Sequence, residues 1–132
     1  MTHFSQVDLS YYALLLAGLL PYLFTLLAKV GTGKKYNNHD PRAFLSEVEG
    51  RHKRANNAQL NSFEAFPFFL AGVWVAHQSQ PAPTDFFLLN TLCYSFVGLR
   101  LLYGWAYITD QANLRSMIWF LGLGVVVSLF FI

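Results

Sequence analysis

Two runs of polar side chains interrupt apolar segments of this sequence at helical spacing. The first has steps of three, four and three residues, which places its members on one face of a helix: Arg54, Asn57, Asn61 and Glu64. The second has steps of three and four: Arg100, Tyr103 and Tyr107. If both faces meet, guanidinium, amide, carboxylate and phenol groups converge, and this combination suits a zwitterionic polar ligand.

Two plainer interpretations of the same residues stay open. Glu64 and Arg100 could form a structural ion pair, with Asn61 as an interhelical hydrogen-bond donor and no ligand at all. Tyr103 and Tyr107 could be anchors at a membrane interface, where phenols are common. In both interpretations the polar groups have a structural role, and no ligand is needed.

Arg115 is the residue best suited to activating a nucleophile. It lies eight residues after Tyr107, at the start of the last apolar segment. A fixed positive charge beside a thiol favours the thiolate and so lowers the pKa of that thiol. The alternative is that Arg115 only reaches toward phosphate headgroups.

Other kinds of chemistry have little support in the sequence. Cys93 is the single cysteine, so an intrachain disulfide and a Cys-based metal site are both excluded. We expect no metal site, because the histidines are scattered along the chain without ligand spacing: His3, His39, His52 and His77. There is also no nucleophile-base pair and no Gly-rich phosphate loop.

The composition indicates which elements must position these residues. Of the 132 residues, 55% are hydrophobic, 17% aromatic and only 12% charged. A soluble domain of this size needs polar helix faces, whereas several segments here are apolar on every side. The chain is therefore predicted to be an all-α integral membrane protein with a single domain, residues 1–132.

Four apolar segments predict a bundle of four transmembrane helices, at about residues 9–30, 55–77, 86–107 and 114–132. The first is too long for a signal-peptide core, so we expect it to remain as a span. The segment "QSQPAPTD" contains two prolines and predicts a tight turn between the second and third spans.

The distribution of charge predicts the orientation. Seven of the nine Lys and Arg residues lie between Lys29 and Arg54, in or beside a predicted loop at 31–54. The positive-inside rule puts this loop in the cytoplasm and both termini on the opposite side. The rule explains the basic cluster better than nucleic-acid binding does, so we expect no nucleic-acid partner.

The membrane setting sharpens the question of Glu64. An isolated charge near the bilayer centre costs about 2.5 to 3.5 kcal/mol on insertion scales. Glu64 is therefore expected to face the bundle interior or a water-filled cavity and to have a partner.

The segment "AQLNSFEAFPFFLAGVWVA" resembles the MAPEG family, the membrane-associated proteins of eicosanoid and glutathione metabolism. Asn61, Glu64 and Pro67 stand at that family's N-x-x-E-x-x-P spacing. The segment "RLLYGWAY" is a second match to the third helix of several members. One difference is Asn57, which stands where the family often has Arg.

The resemblance implies a homotrimer with glutathione bound between subunits near the cytoplasmic face. On this analogy Asn61 and Glu64 hold polar groups of glutathione, Tyr103 and Tyr107 line the site, and Arg115 stabilises the thiolate. Arg54 could take over a glutathione carboxylate in place of the missing family Arg. Asn57 and Arg100 complete the predicted binding residues.

The resemblance predicts a membrane glutathione transferase, with glutathione peroxidase activity as a further expectation. A lipophilic small molecule would enter from the bilayer lipids, as in detoxification. The alternatives are a catalytically silent lipid-binding or scaffold protein and a small proton-coupled multidrug exporter. The short loops favour a bacterial inner membrane over the endoplasmic reticulum. The hydrophobic substrate, and whether transferase or peroxidase chemistry dominates, do not follow from the residues.

Overall fold

The computed structural model describes residues 7–79 and 86–132, and all regular structure in these ranges is helical. The predicted Pro-rich turn lies almost entirely outside the described residues. Five helices follow in chain order: α1 Ser10–Lys29, α2 Pro41–Ser46, α3 Gly50–Ser79, α4 Phe87–Ile108 and α5 Ala112–Ser128. The prediction of an all-α fold is confirmed in these ranges.

Two of these helices, α1 and α4, are long and apolar enough to cross a membrane. Large apolar side chains on their outer faces are exposed, including Leu15, Tyr22, Leu101 and Trp105. α5 is also apolar but is shorter, with 17 residues. The first half of α3 carries the polar stripe, which lowers its apolar character relative to the other long helices.

The predicted loop at 31–54 was wrong in part, because two stretches of it are helical. Asp40 caps α2 by accepting a hydrogen bond from the Ala43 backbone N–H at 3.0 Å, and Pro41 suits the first helical position. α3 begins at Gly50, whose φ of 56° suits a glycine. Arg54 therefore lies in the first turns of α3, not in a loop.

The last predicted span was also too long, since α5 ends at Ser128 and not at residue 132. The predicted boundary followed the apolar composition, which continues to Ile132. Leu129 is nevertheless fully buried against the core formed by α1, α3 and α4. Apolar composition alone therefore did not distinguish a continuing helix from a chain end packed on the bundle.

Small residues allow the helices to approach one another closely. A Cβ atom at Gly104 of α4 would overlap the ring of Phe24 on α1. On α3 the buried face is formed by small residues at steps of three and four: Ala55, Ala58 and Ser62. Such small residues at helix contacts are typical of helices packed in membranes.

A group of hydrogen-bonded side chains joins the start of α1 to the end of α3; we call Asp8, Ser10 and His77 the N-terminal cluster. Ser10 is fully buried, and its hydroxyl donates to Asp8 Oδ1 at 2.5 Å. His77 Nε2 lies 2.9 Å from Ser10 Oγ and 3.5 Å from Asp8 Oδ2. Asn90 of α4 adds hydrogen bonds to Leu9 N and Val7 O. This cluster holds one end of the bundle together.

Candidate functional site

Arg100 is the centre of a second polar group, which we call the arginine cluster: Asn61, Ser62 and Arg100. Only 5% of Arg100 is exposed, and its Nη2 donates to Asn61 Oδ1 at 2.9 Å and to Ser62 Oγ at 3.0 Å. A buried guanidinium needs such acceptors, because desolvation of an unpaired charge is costly. These bonds connect the middle of α4 to α3.

A direct ion pair between Glu64 and Arg100 was one interpretation of the sequence, and it was wrong. The carboxylate of Glu64 instead accepts a hydrogen bond from Asn61 Nδ2 at 3.4 Å. The Asn61 amide therefore stands between the two charges, accepting from the guanidinium and donating to the carboxylate. Glu64 lies one helical turn further along α3 and is exposed.

Aromatic rings continue the arginine cluster toward the start of α5. The Arg100 guanidinium lies 4.2 Å from the ring centroid of Tyr103, and Tyr103 meets Tyr107 edge to face at 5.7 Å. Arg115 lies 4.3 Å from the centroid of the Tyr107 ring. A cation is attracted to the face of an aromatic ring, so the contacts with Tyr103 and Tyr107 orient both arginines.

The structure thus brings together the predicted residues Asn61, Glu64, Arg100, Tyr103, Tyr107 and Arg115. Within residues 7–79 and 86–132, the Arg115 guanidinium makes no hydrogen bond or ion pair. Its donors are available to an anion. The contact with the Tyr107 ring orients these N–H donors but forms no hydrogen bond with them. An anion-binding site needs donors that are oriented and unoccupied in this way.

Arg115 and the two tyrosines border a cavity of about 230 Å³, which we call the polar cavity. It is lined by Asn61, Tyr103, Tyr107, Arg115, Ser116, Trp119 and Phe120. A second cavity of about 190 Å³, the apolar cavity, lies between α3, α4 and α5. Its wall is mainly Ala65, Phe68, Phe96, Leu99, Ile118, Gly122, Leu123 and Val126, with Asn61, Glu64, Arg100 and Trp119 at its polar end.

Two predicted binding residues lie outside both cavities. Arg54 Nε donates to the carbonyl oxygen of Ile108 at 3.0 Å, so this guanidinium satisfies the C-terminal end of α4. Asn57 is partly buried, and its amide forms no hydrogen bond among the described residues. Neither residue borders the polar or the apolar cavity.

Sequence reasoning missed three residues of this region. Ser62 accepts from Arg100, and its place in a row of small residues on α3 was the available signal. Ser116 and Trp119 border the cavities together with Arg115. Trp119 is one helical turn after Arg115, so the shared helix face was the signal that could have identified it.

No group of three potential metal ligands occurs within the described ranges. Cys93, the lone thiol, is buried in the apolar core between α3 and α4 and lies outside both cavities. Any thiol chemistry in either cavity would therefore need a thiol from a bound molecule.

Within the described residues, the apolar outer faces, the two helices long enough to cross a membrane and the inner arginine cluster are features of the class of membrane proteins. More specifically, the chain belongs to the MAPEG family, whose family model matches residues 9–132. This match confirms the predicted family, which is one of glutathione-related transferases and of proteins in eicosanoid metabolism. Neither a curated protein nor a solved structure matches the chain.

Proposed function

We propose that this protein is a membrane glutathione transferase that joins the glutathione sulfur to lipophilic electrophiles. The observation that carries the proposal is Arg115, a guanidinium with free donors at the wall of a polar cavity. That cavity adjoins an apolar one, with Asn61 and Trp119 common to both. A hydrophilic thiol would thus bind in the polar cavity, and a lipophilic electrophile would bind in the adjoining apolar cavity.

The groups that face the polar cavity fit the chemistry of glutathione. Its carboxylates need cations, which Arg115 supplies, and its peptide groups need donors and acceptors, which Asn61 and the phenols of Tyr103 and Tyr107 supply. Its ammonium needs an acid, and Glu64 lies one hydrogen bond beyond Asn61. Arg54 and Asn57 as further ligands stay a prediction.

Arg115 would act by favouring the thiolate, the form of a thiol that is nucleophilic. The thiolate uses a sulfur lone pair to form a bond to the electrophilic carbon, and the leaving group departs with the electrons of its own bond. Arg115 is held by Tyr107, so its charge is in place before reaction. Preorganised charge of this kind accounts for about 100- to 1000-fold in rate where single groups have been removed from enzymes.

Peroxidase chemistry would use the same thiolate. Attack on a lipid hydroperoxide forms a sulfur–oxygen bond and releases the lipid alcohol after protonation. A second glutathione thiol then displaces water, giving the disulfide. The two glutathiones supply both electrons, so Cys93 takes no part.

The proposed assembly is a homotrimer in which α1, α3, α4 and α5 each span the membrane, with lipids around the exposed apolar faces. The basic segment from Lys29 to Arg54 would face the cytoplasm, and both termini would lie on the other side. A bacterial inner membrane is the proposed location. Crosslinking of the purified protein in native lipid would test the trimer.

The apolar cavity also supports a second candidate, a lipid-binding protein without catalysis. A proton-coupled exporter, the third hypothesis, would use Glu64 as its proton carrier. These three functions predict different responses to glutathione, to lipid and to substrate-induced proton release.

The test is to purify the full chain in mild detergent and measure glutathione binding by calorimetry together with conjugation of 1-chloro-2,4-dinitrobenzene. The transferase hypothesis predicts saturable binding at or below millimolar glutathione and turnover above the uncatalysed rate. Binding of lipid without glutathione binding would instead establish the silent protein. Proton release on adding a hydrophobic cation, abolished in Glu64→Gln, would establish the exporter.

A further inference from the structure

Trp119 borders both cavities, and Asn61 is the other residue that does so. Its side chain is 37% exposed and meets the ring of Phe120 edge to face at 5.1 Å. The indole therefore forms part of the boundary across which a thiolate and an electrophile would have to meet. A large rigid side chain at such a boundary limits what passes.

The helical position of Trp119 explains this placement. It follows Arg115 by four residues on α5, so both side chains lie on the same face, one turn apart. Going further along this face, Gly122 and Val126 border the apolar cavity. Trp119 thus stands between the charged residue and the apolar wall.

The apolar cavity is small for a ligand site. Its volume of about 190 Å³ compares with an engineered cavity of roughly 150 Å³ that binds benzene. Pockets that hold drug-sized ligands measure roughly 300–1,000 Å³. With the indole in place, the part of a ligand that lies inside this cavity is therefore limited to a single ring or a short alkyl chain.

From this geometry we propose that Trp119 determines substrate size: it confines the electrophile to single-ring or short-chain compounds. Gly122 adds room on the same face, because it has no side chain where α5 borders the apolar cavity. This inference rests on the proposed transferase function and adds the class of electrophile. Replacing the indole with a small side chain would join the cavities and admit larger rings.

The experiment compares two substrates with the same reacting carbon, benzyl chloride and 9-(chloromethyl)anthracene. In both, the thiolate forms the carbon–sulfur bond while chloride leaves. In Trp119→Ala the ratio of kcat/KM for the anthracene compound to that for the benzyl compound should rise about tenfold or more, in the range that pocket shape provides in enzymes. Trp119→Phe should give a smaller rise.

Trp105→Ala is the matched control, since Trp105 is an exposed tryptophan of α4 that borders neither cavity. It should leave the ratio within about twofold of the wild-type value, well below the discrimination that pocket shape provides. Retention volume and helical circular dichroism of each variant would exclude misfolding. An unchanged ratio in Trp119→Ala, or an equal rise in Trp105→Ala, would overturn the assignment.

A binding measurement separates this inference from the proposed function. The two products, benzylglutathione and anthracenylmethylglutathione, would be titrated into wild type and Trp119→Ala by calorimetry. The inference predicts that only the larger product gains affinity in the variant. If both products bind but neither changes, Trp119 is not the size filter while the transferase function stands. If neither binds and no turnover occurs, the proposed function fails and this inference fails with it.

Discussion

The N-terminal cluster and the arginine cluster differ in their hydrogen bonding. In the N-terminal cluster, the Ser10 hydroxyl donates to Asp8, so the His77 Nε2–H donates to Ser10 and approaches Asp8. In the arginine cluster, by contrast, Arg100 Nε is buried without a hydrogen-bond partner among the described residues. The guanidinium of nearby Arg115 also donates no hydrogen bond to any described residue.

This difference separates a structural contact between helices from a candidate binding site. Ser10, His77 and Asp8 include the residue types of a nucleophile and its base, yet the serine proton already goes to the aspartate. The His77 ring is further held by stacking on Tyr11 at 4.9 Å. Donors and acceptors that are paired with one another in an apolar surrounding fix helices together. They leave no hydrogen-bonding group available to a ligand.

The arginine cluster has a surplus of donors instead. Cation–π contacts orient Arg100 and Arg115 without using their hydrogen-bonding groups, and two cavities lie beside them. A surplus of oriented donors at a cavity wall is stabilised when an anion binds there. The comparison therefore predicts that substitutions at one end change activity and substitutions at the other change stability alone.

The largest effect is expected for Arg115→Ala. Loss of the charge that favours the thiolate should lower kcat about 100- to 1000-fold. Conjugation of 1-chloro-2,4-dinitrobenzene at saturating glutathione measures it. Arg115→Lys should recover part of the rate, because it keeps the charge but loses the planar guanidinium.

Arg42→Ala is the control for this substitution, since Arg42 is an exposed arginine of α2 outside both cavities. It should leave kcat unchanged. If Arg115→Ala retained wild-type kcat, Arg115 would lose its proposed role and the two polar groups would differ only in geometry.

A smaller effect, on stability, is expected for Asn61→Leu. This change removes an acceptor from buried Arg100 and a donor from Glu64, and a hydrogen bond to a charged group contributes about 1.5 to 3 kcal/mol. Thermal unfolding in detergent, followed by circular dichroism, should show a lower midpoint. Asn57→Leu, a partly buried amide of α3 without a hydrogen bond in the described chain, should not lower it.

The smallest effect is expected for Ser10→Ala, at about 1 kcal/mol of stability. Asp8 and His77 keep their contact at 3.5 Å and are each partly exposed, so solvent can replace the lost bonds. The midpoint of thermal unfolding should fall slightly, with kcat unchanged. Ser128→Ala removes a hydroxyl that bonds only within α5 and should change neither quantity. A loss of turnover in Ser10→Ala would contradict the separation of the two ends.

Much of the helical fold and the principal polar residues were predictable from the sequence. Apolar segments and their breaks depend on local composition, so the long helices were located. The predicted loop at 31–54 extended too far because the polar residues 50–54 were interpreted as a loop. Nothing in these residues prevents a helix, and α3 includes them. Residues that share a helix face follow from the helical repeat, so the stripe of Asn61 and Glu64 could be recognised.

Contacts between helices could not be predicted in the same way. Helical periodicity defines a face but not the rotation at which that face meets its neighbour, which depends on close contacts such as Gly104 with Phe24. At the contact between α3 and α4, Ser62 and Asn61, not Glu64, lie against Arg100.

The sequence by itself determined an apolar helical protein of the MAPEG family with an inner polar stripe, because composition and residue spacing are local properties. The tertiary structure decided which polar groups neutralise one another and which remain available. His77 is 67 residues from Ser10, and Arg100 is 39 residues from Asn61, so only packing brings them together. Packing pairs the donors and acceptors of the N-terminal cluster with one another. It leaves the arginine cluster beside two cavities, with Trp119 in the wall that both cavities share.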